Sequence, residues 1–305
     1  MRGALSRRGF LTVTAGAALL AACSSTKPGE VAKDGSVTVK HIFGETKIPA
    51  PPQRVVSAGF TEQDDLLAVG VVPIAVTDWF GGEPFAVWPW AQPKLGGAQP
   101  VVLNLNDGIQ VDQIASLKPD LIVATNAGLD QDTYTKLSAI APTIAQSGRD
   151  AFFEPWKNQA TAIGQAVFKA DDMANLIAAV DAKFTDVGKN NPQFAGKKVL
   201  LLQGTLGPDG VQVMTPRWRT DFLTQMGFVV ADGVETADVL IWTTESDDEQ
   251  AALLADPVVA KLRATASNRN VFTGKELAGA IAFASTLSYP LVADQLPPLI
   301  AKALA

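Results

Sequence analysis

Short apolar runs separated by turn residues recur along the chain. The early runs cover 54–58, 71–77, 121–125 and 143–146, and the later ones 197–203, 211–214, 239–242 and 270–273. Continuous Val, Ile and Leu runs of this kind are typical of parallel strands that are buried on both faces. Helical stretches alternate with them, including 63–69 and 112–117, and an alternating segment at 37–44 predicts an initial hairpin. The pattern predicts an α/β fold with mainly parallel sheets.

A different periodicity occupies the middle of the chain. Trp156, Ala160, Ile163 and Val167 are spaced as the apolar stripe of an amphipathic helix, within a helical region predicted from residue 152 onwards. A second helix is predicted over 171–190, with Asp171 as its N-cap and Asn190-Asn191-Pro192 ending it. At about 27 Å this helix is long enough to connect two lobes.

The predicted organisation is therefore two lobes joined by a long backbone helix. The N-terminal lobe covers 37–170, the backbone helix 171–190 and the C-terminal lobe 191–305. A final helix is predicted over 287–304, with Pro290 in its first turn.

The first residues carry the pattern of an export signal. Arg7-Arg8 precedes a short apolar stretch, which fits a twin-arginine signal and is too short for a transmembrane helix. The stretch closes with Leu20-Ala21-Ala22-Cys23, similar to a bacterial lipobox, so residues 1–22 are predicted to be removed and Cys23 to be acylated. Residues 23–36 would form a lipidated tether, which predicts a protein anchored on the outer face of the cytoplasmic membrane, in the cell envelope.

Composition narrows the chemistry. The 305 residues include one Cys and one His, which excludes intrachain disulfides and multi-histidine zinc sites. The net charge of −6 argues against nucleic acid as the main partner. No nucleophile elbow, P-loop or H-E-x-x-H motif is found, so an enzyme is not predicted. The acidic groups Glu62/Asp64/Asp65 and Asp247/Asp248/Glu249 lie at predicted helix starts and are interpreted as solvated, dipole-stabilising charges.

Several segments resemble one family. Residues 39–48, Pro52-Gln53-Arg54-Val55-Val56-Ser57 and Leu117-Lys118-Pro119-Asp120-Leu121-Ile122 look like parts of the iron–siderophore and cobalamin class of ABC-transporter substrate-binding proteins, of the helical-backbone type. The resemblance covers most of 37–305 and is strongest to mycobacterial-type ferric-siderophore-binding lipoproteins. It implies a ligand held between two lobes, and docking onto a permease that a cytoplasmic ATPase powers.

The resemblance also implies an acidic docking residue on each lobe. In the first lobe the matching position is Asp112, where Glu is usual; the alternative is a plain N-terminal helix charge. Only ten residues lie between Gly227 and Asp238, fewer than the family normally has. The segment that would carry the second docking acid is therefore missing, which leaves permease docking open.

Candidate ligand-binding residues follow the predicted strands, because ligands of parallel α/β lobes sit at the carboxyl ends of strands. They are Phe60, Trp79, Phe80, Trp88, Asn126, Arg149, Arg217, Trp218, Arg219 and Trp242. Aromatic walls suit a flat apolar chelate or macrocycle, and arginines offer a fork of donors to an anionic group. The alternatives are core packing for each Trp and a solvated helix start for the arginines.

No resident metal or cofactor is predicted. His41 lies in the predicted hairpin and is interpreted as structural, while Tyr134 and Tyr289 are interpreted as packing residues. Bare iron needs several hard ligands together, so iron is expected to arrive already chelated. The leading hypothesis is capture of a ferric siderophore for an ABC permease. The alternatives are a haem-binding or, more weakly, a cobalamin-binding importer protein, and a non-transporting surface interaction lipoprotein of the same fold.

Overall fold

A computed structural model describes residues 29–305 of the chain. The predicted export signal, Cys23 and residues 24–28 of the predicted tether lie outside this range. The described residues form two lobes with parallel sheets and an intervening long helix, which confirms the predicted α/β class. Among residues 29–305, no helix combines the length and the apolar character that crossing a bilayer requires.

The N-terminal lobe contains a hairpin and a five-stranded parallel sheet in the order β5-β4-β3-β6-β7. Its strands are β1 Val37–His41, β2 Gly44–Ile48, β3 Val55–Ser57, β4 Ala75–Thr77, β5 Val101–Leu103, β6 Leu121–Ala124 and β7 Thr143–Ala145. Four of the sheet strands lie inside the predicted apolar runs. The edge strand β5 was not predicted, because it has three residues and exposes Val101 and Val102.

Helices connect the strands of this lobe. They are α1 Glu62–Ala68, α2 Val111–Ser116 and α3 Gln131–Ser138. Helix α3 begins where Asp130 accepts a hydrogen bond from Thr133 N at 2.7 Å. Helix α1 has no such cap on Thr61, and its first turn is instead made of acidic residues.

Two helices follow the N-terminal sheet: α4, Trp156–Ala166, which packs on α1 and β1 of the N-terminal lobe, and the 21-residue backbone helix α5, Ala170–Asn190, which leads to the C-terminal lobe. The predicted stripe of α4 is buried, although the helix begins after Pro155 and not at residue 152. The prediction of Asp171 as an N-cap is wrong: Lys169 holds that position, and Asp171 lies in the first turn, where the helix dipole favours an acid.

The C-terminal lobe has a four-stranded parallel sheet in the order β11-β10-β8-β9. Its elements are β8 Lys198–Gln203, α6 Asp221–Gln225, β9 Val229–Val230, β10 Val239–Thr243, α7 Asp247–Ala255, α8 Arg263–Ala266, β11 Asn270–Phe272, α9 Lys275–Phe283 and α10 Ser288–Leu304. The strand predicted at 211–214 is wrong, since Val213 makes an isolated antiparallel bridge to Leu202 instead. Pro290 lies in the first turn of α10, as predicted.

One apolar cluster links the two sheets through the helices between them. It includes Val123 of β6, Ile163 of α4, Val180 of α5, Ile241 of β10 and Leu296 of α10, all at most 3% exposed. Close-packed interiors resist deformation. We therefore expect this cluster to hold the two lobes in a fixed relative position where helices α4, α5 and α10 lie between their sheets.

The prediction that Glu62, Asp64 and Asp65 are solvated helix charges is wrong. All three side chains are at most 1% exposed. Glu62 accepts hydrogen bonds from Gly59 N and Asn126 N, each at 2.8 Å. The carboxylates of Asp64 and Asp65 face the C-terminal lobe. The acidic pattern at the start of a helix therefore did not indicate that these side chains are buried.

Asp64 and Asp65 form hydrogen bonds across the lobe boundary. Ser285 Oγ donates to Asp64 Oδ2 at 2.6 Å, and Thr286 Oγ1 donates to Asp65 Oδ1 at 3.2 Å. Within the N-terminal lobe, Gln159 Nε2 donates to Asp65 Oδ2 at 3.0 Å. We call Asp64, Asp65, Gln159, Ser285 and Thr286 the inter-lobe polar cluster.

Burial alters the protonation of these acids. It raises the pKa of Glu62 to about 7, that of Asp64 to about 6 and that of Asp65 to about 7. The charge of Asp64 adds to the effect on the pKa of Asp65, whereas the hydrogen bond from Gln159 opposes it. Desolvation is thus the dominant influence, because an ionised carboxylate loses its water without gaining a cation.

The sign of the pH dependence follows. The folded protein holds protons on these carboxyls up to a higher pH than the unfolded chain does, so their contribution to the free energy of unfolding is full below about pH 4. It is lost as the pH rises to about 7. One such group gives a slope of about 1.4 kcal/mol per pH unit in that window.

We expect Asp65→Asn to flatten this slope, because the amide keeps a neutral hydrogen-bonding group between Gln159 and Thr286. Urea unfolding between about pH 4 and 8 measures it, with the exposed Asp247→Asn as the control that leaves the slope unchanged. An undiminished slope in Asp65→Asn would contradict the assignment.

Candidate functional site

A cavity of about 360 Å³ lies between the two lobes. Trp79, Phe80 and Phe153 line it from the N-terminal lobe. The C-terminal lobe contributes Gln203, Gly204, Thr205, Met214, Thr215, Arg219, Thr243, Glu245, Glu249 and Ala282. Trp79 and Phe80 follow the carboxyl end of β4, Gly204 and Thr205 follow that of β8, and Glu245 follows that of β10, where parallel sheets of this kind bind ligands.

Aromatic rings form one wall of the cavity. The ring centroid of Trp79 lies 5.0 Å from Phe153 and 4.6 Å from Phe80 in an edge-on contact. Phe60 stacks on Trp79 from behind, with centroids 5.5 Å apart, and Phe283 of α9 meets Trp79 from the other lobe at 5.7 Å. Trp79, Phe80 and Phe153 therefore line the cavity as part of a larger aromatic cluster, to which Phe60 and the buried Phe283 contribute from outside the lining.

Arg219 supplies the buried cation of the site. Its side chain is 4% exposed, and its Nη1 donates to Ala282 O at 2.7 Å. The guanidinium carbon lies 4.7 Å from the ring centroid of Phe153 and 5.0 Å from that of Trp218. Burial lowers the pKa of Arg219 from its usual value, but a guanidinium stays charged at neutral pH. The cation is thus held in one orientation.

Two glutamates of the C-terminal lobe also line the cavity. Glu245 follows β10, and Glu249 lies in the first turn of α7, whose N-cap is Ser246. Glu249 Oε2 accepts a hydrogen bond from Glu245 N at 2.6 Å. Burial raises the pKa of Glu245, the charge of Glu249 raises it further, and Lys275 opposes this. Asp247 and Asp248 are exposed, as predicted, but Glu249 also faces the cavity.

Of the four predicted tryptophans, Trp79 lines the cavity as described for residues 29–305, and Trp88, Trp218 and Trp242 lie outside its lining. Trp242 is fully buried in the core of the C-terminal lobe, where its Nε1 donates to Asn270 Oδ1 at 3.0 Å. The expectation that it lies in a binding loop is wrong, because β10 continues one residue further and Thr243 is the residue at the cavity. Trp88 is buried behind the wall, stacked on Trp90 at 4.9 Å and in edge contact with Phe80 at 5.3 Å.

Asn126 and Trp218 act on the wall indirectly. Phe153 N donates to Asn126 Oδ1 at 2.8 Å, and Trp218 Nε1 donates to Phe153 O at 3.0 Å across the lobe boundary. Both side chains therefore position Phe153. Trp218 itself lines a separate cavity of about 190 Å³ between α4, α5, α6 and α10.

Arg149 and Arg217 are exposed and lie outside the lining of the cavity as described for residues 29–305. The neighbouring Arg219 points inwards, since the short 3-10 helix Arg217–Thr220 places the two arginines on different sides. Sequence reasoning found both arginines but could not distinguish them. It also missed Phe283, Met214 and Glu245, whose sequence surroundings resemble ordinary core or loop.

The remaining metal-binding candidates pack away from the cavity. His41 Nε2 lies 2.9 Å from Thr46 Oγ1, and its ring contacts Tyr134 with centroids 5.1 Å apart. Tyr289 is buried against Trp156 and Phe184. These placements agree with the structural roles predicted for them. Within residues 29–305, no group of three His, Cys, Asp or Glu side chains is arranged to hold a metal ion.

Comparison with known proteins places the chain among solute-binding proteins. Residues 55–235, more than half of the chain, match the family model described as periplasmic binding protein. A crystal structure of a periplasmic solute binding protein from Mycobacterium smegmatis is 69% identical and superposes with a TM-score of 0.88. It covers 89% of this chain and 100% of its own.

Curated relatives from Bacillus subtilis are more distant. The putative ABC transporter substrate-binding lipoprotein YhfQ is 31% identical over 72% of this chain, and the probable siderophore-binding lipoprotein YfiY is 29% identical over 69%. The matches span 66% and 63% of the lengths of those two relatives. With its lobe–helix–lobe architecture and the match over residues 55–235, the chain belongs to the periplasmic binding protein family.

Proposed function

We propose that the protein is an extracytoplasmic substrate-binding protein that captures a ferric siderophore between its lobes and delivers it to an ABC permease. The observation that carries the proposal is the inter-lobe cavity, whose lining combines the aromatic side chains Trp79, Phe80 and Phe153 with the buried Arg219, which lies over the Phe153 ring. The name of the siderophore-binding relative supports the ligand class. Binding, not catalysis, is the proposed activity.

The cavity chemistry suits a ferric chelate. Such a chelate presents apolar edges and a cluster of electron-rich oxygens around the iron. Trp79, Phe80 and Phe153 bury apolar area, and Arg219 offers charge-assisted hydrogen bonds to oxygen. The volume of about 360 Å³ lies within the usual range for small-molecule sites.

Haem is a weaker candidate for the same cavity. Haem iron in proteins takes His, Cys, Met or Tyr as axial ligand. Among the described lining residues, only Met214 is of these types. A siderophore brings all its iron ligands with it, so the lining fits that class better. No lining residue favours cobalamin over the other ligands.

Delivery requires a membrane location and a docking surface. The proposed lipid anchor is Cys23, with residues 1–22 as a twin-arginine signal. The proposed docking residue of the first lobe is Asp112, which is exposed in the first turn of α2. A surface lipoprotein that does not transport is the alternative, and it predicts no saturable ligand binding.

We expect ferric siderophores to quench the tryptophan fluorescence of the purified protein saturably, because Trp79 lines the cavity. Titrations with ferric hydroxamate and catecholate siderophores, haem and cobalamin measure it. The absence of a saturable change with every ferric chelate would contradict the proposed ligand class, and saturation by haem alone would favour the haem alternative.

We expect Arg219→Met to weaken binding of the chelate by about tenfold to a hundredfold, because a charge-assisted hydrogen bond is lost from a buried site. Arg217→Met is the matched control: it removes the same charge from the same turn, but at an exposed position. Calorimetric titration compares the two variants. Equal losses would show that general charge, and not the placement of Arg219, determines affinity.

We expect Cys23→Ala to move the protein from the membrane fraction to the soluble fraction, because acyl chains are the proposed anchor. Ser24→Ala is the control, since it leaves the acylated residue intact. Fractionation followed by immunoblotting measures the distribution. Retention of Cys23→Ala in the membrane would contradict lipid anchoring at this residue.

A further inference from the structure

A second cavity lies where helices connect the two lobes. It has a volume of about 190 Å³ and lies between α4, α5, α6 and α10. None of the residues that line it also lines the inter-lobe cavity. The second cavity is therefore a separate space in the fold, and the proposed capture of a chelate makes no use of it.

Aromatic side chains are the main apolar surface of the second cavity. Five of them line it: Trp156, Phe184, Trp218, Phe222 and Tyr289. The ring of Tyr289 meets Trp156 and Phe184 edge-on, with centroids 5.3 Å and 5.5 Å apart. Phe184, Phe222 and Tyr289 are at most 2% exposed. Because aromatic rings prefer edge and offset contacts with one another, this lining suits a further aromatic ring.

The hydroxyl group of Tyr289 has no hydrogen-bond partner among residues 29–305, although the side chain is 2% exposed. The hydroxyl oxygen is also not among the buried polar atoms that lack both a partner and contact with open space. It therefore adjoins open space, and the second cavity is the space that Tyr289 lines. A polar atom of a ligand that paired with this hydroxyl would recover a hydrogen bond that the protein leaves unmade.

The protonation of Tyr289 makes its hydroxyl a donor as well as an acceptor. Burial raises the pKa of Tyr289 far above its usual value, and the charge of Asp221 raises it further, whereas the charge of Arg219 opposes the shift. The hydroxyl group consequently keeps its proton at neutral pH.

The charged residues of the lining give no support to a charged ligand. Lys157 Nζ donates to Asp181 Oδ2 at 2.6 Å, and Gln225 Nε2 donates to Asp181 Oδ1 at 2.9 Å. Asp221 is exposed in the first turn of α6. A charged ligand would lose its water among the rings without gaining a buried counter-ion, so an uncharged ligand is favoured.

The volume limits the ligand to one ring. An apolar cavity of about 150 Å³ is large enough for benzene, so about 190 Å³ accommodates a six-membered ring with one small substituent. Water fits the lining less well, because a buried water needs two to four polar partners and the rings of Phe184 and Phe222 supply none.

We propose that the second cavity is a binding site for a small uncharged phenol, whose ring packs among Trp156, Phe184 and Phe222 and whose hydroxyl group pairs with that of Tyr289. The proposal is independent of the proposed function, because the two cavities share no lining residue. It assigns to the helical junction of the lobes a ligand of its own.

A matched pair of ligands isolates the hydrogen bond. Para-fluorophenol and fluorobenzene have the same ring and the same fluorine, but only the first has a hydroxyl group. We expect the purified protein to bind para-fluorophenol with a Kd of about a millimolar or tighter, and about tenfold more tightly than fluorobenzene. Fluorine NMR titration measures both affinities.

Variants test the partner of that hydroxyl. Tyr289→Phe keeps the ring and removes the hydroxyl, so it should bring the two affinities together. The affinity for fluorobenzene should stay unchanged, which reports an intact cavity. Tyr134→Phe is the matched control: it makes the same substitution in the other tyrosine of the chain, which contacts His41 in the N-terminal lobe, and it should preserve the tenfold ratio.

The position of the ligand is tested separately. In the wild type, magnetisation should pass between para-fluorophenol and the indole protons of Trp156 and Trp218, which line the second cavity. Phe80→Ala alters the lining of the inter-lobe cavity and should leave the affinity for para-fluorophenol unchanged.

Each contrary result would overturn the proposal. These results are equal affinity of the wild type for the two ligands, an unchanged ratio in Tyr289→Phe, contact with other tryptophans in place of Trp156 and Trp218, and loss of binding in Phe80→Ala. Failure of both ligands to bind at several times the expected Kd would show a cavity that holds water only. Siderophore capture by the inter-lobe cavity is unaffected by all of these outcomes.

Discussion

The structure depends on the burial of two carboxyl groups between the lobes. Asp64 and Asp65 lie in a helix of the N-terminal lobe and take hydrogen bonds from Ser285 and Thr286 of the C-terminal lobe. A buried carboxyl without a partner is costly, so separating the lobes here requires water to replace these donors. The inter-lobe polar cluster therefore sets the spacing of the two walls on which the cavity depends.

The sequence predicts the parts of this fold that local patterns encode. Buried strands leave continuous apolar runs, and the stripe of α4 follows helical periodicity. The inter-lobe polar cluster leaves no such trace, because Asp64 and its partner Ser285 are 221 residues apart. An acidic helix start looks the same in a sequence whether water or a distant hydroxyl group solvates it.

The predictions about the site were likewise correct where a local pattern encodes the position of a residue and wrong where a distant contact decides it. Loops after strands place Trp79 and Phe80 in the cavity lining, since the topology of parallel sheets brings strand ends together, whereas Arg219 reaches the lining from a short 3-10 helix and not from the end of a strand. The expectation for Trp242 was wrong because β10 is one residue longer than predicted. Successive side chains of a strand point to opposite faces, so Trp242 points into the core. Phe283 lies in an apolar helix, and nothing in the sequence distinguishes the residue that faces the other lobe.

One short segment at the end of α9 contacts both the cavity and the boundary between the lobes. Ala282 O holds Arg219, Phe283 packs on Trp79, and Ser285 holds Asp64. Between them, Ala284 ends the helix in the left-handed conformation, with φ of 51°, which turns the chain so that consecutive residues face different partners. Residues 282–286 therefore contact the buried cation of the cavity, the aromatic ring of Trp79 and the inter-lobe polar cluster within one short stretch of chain.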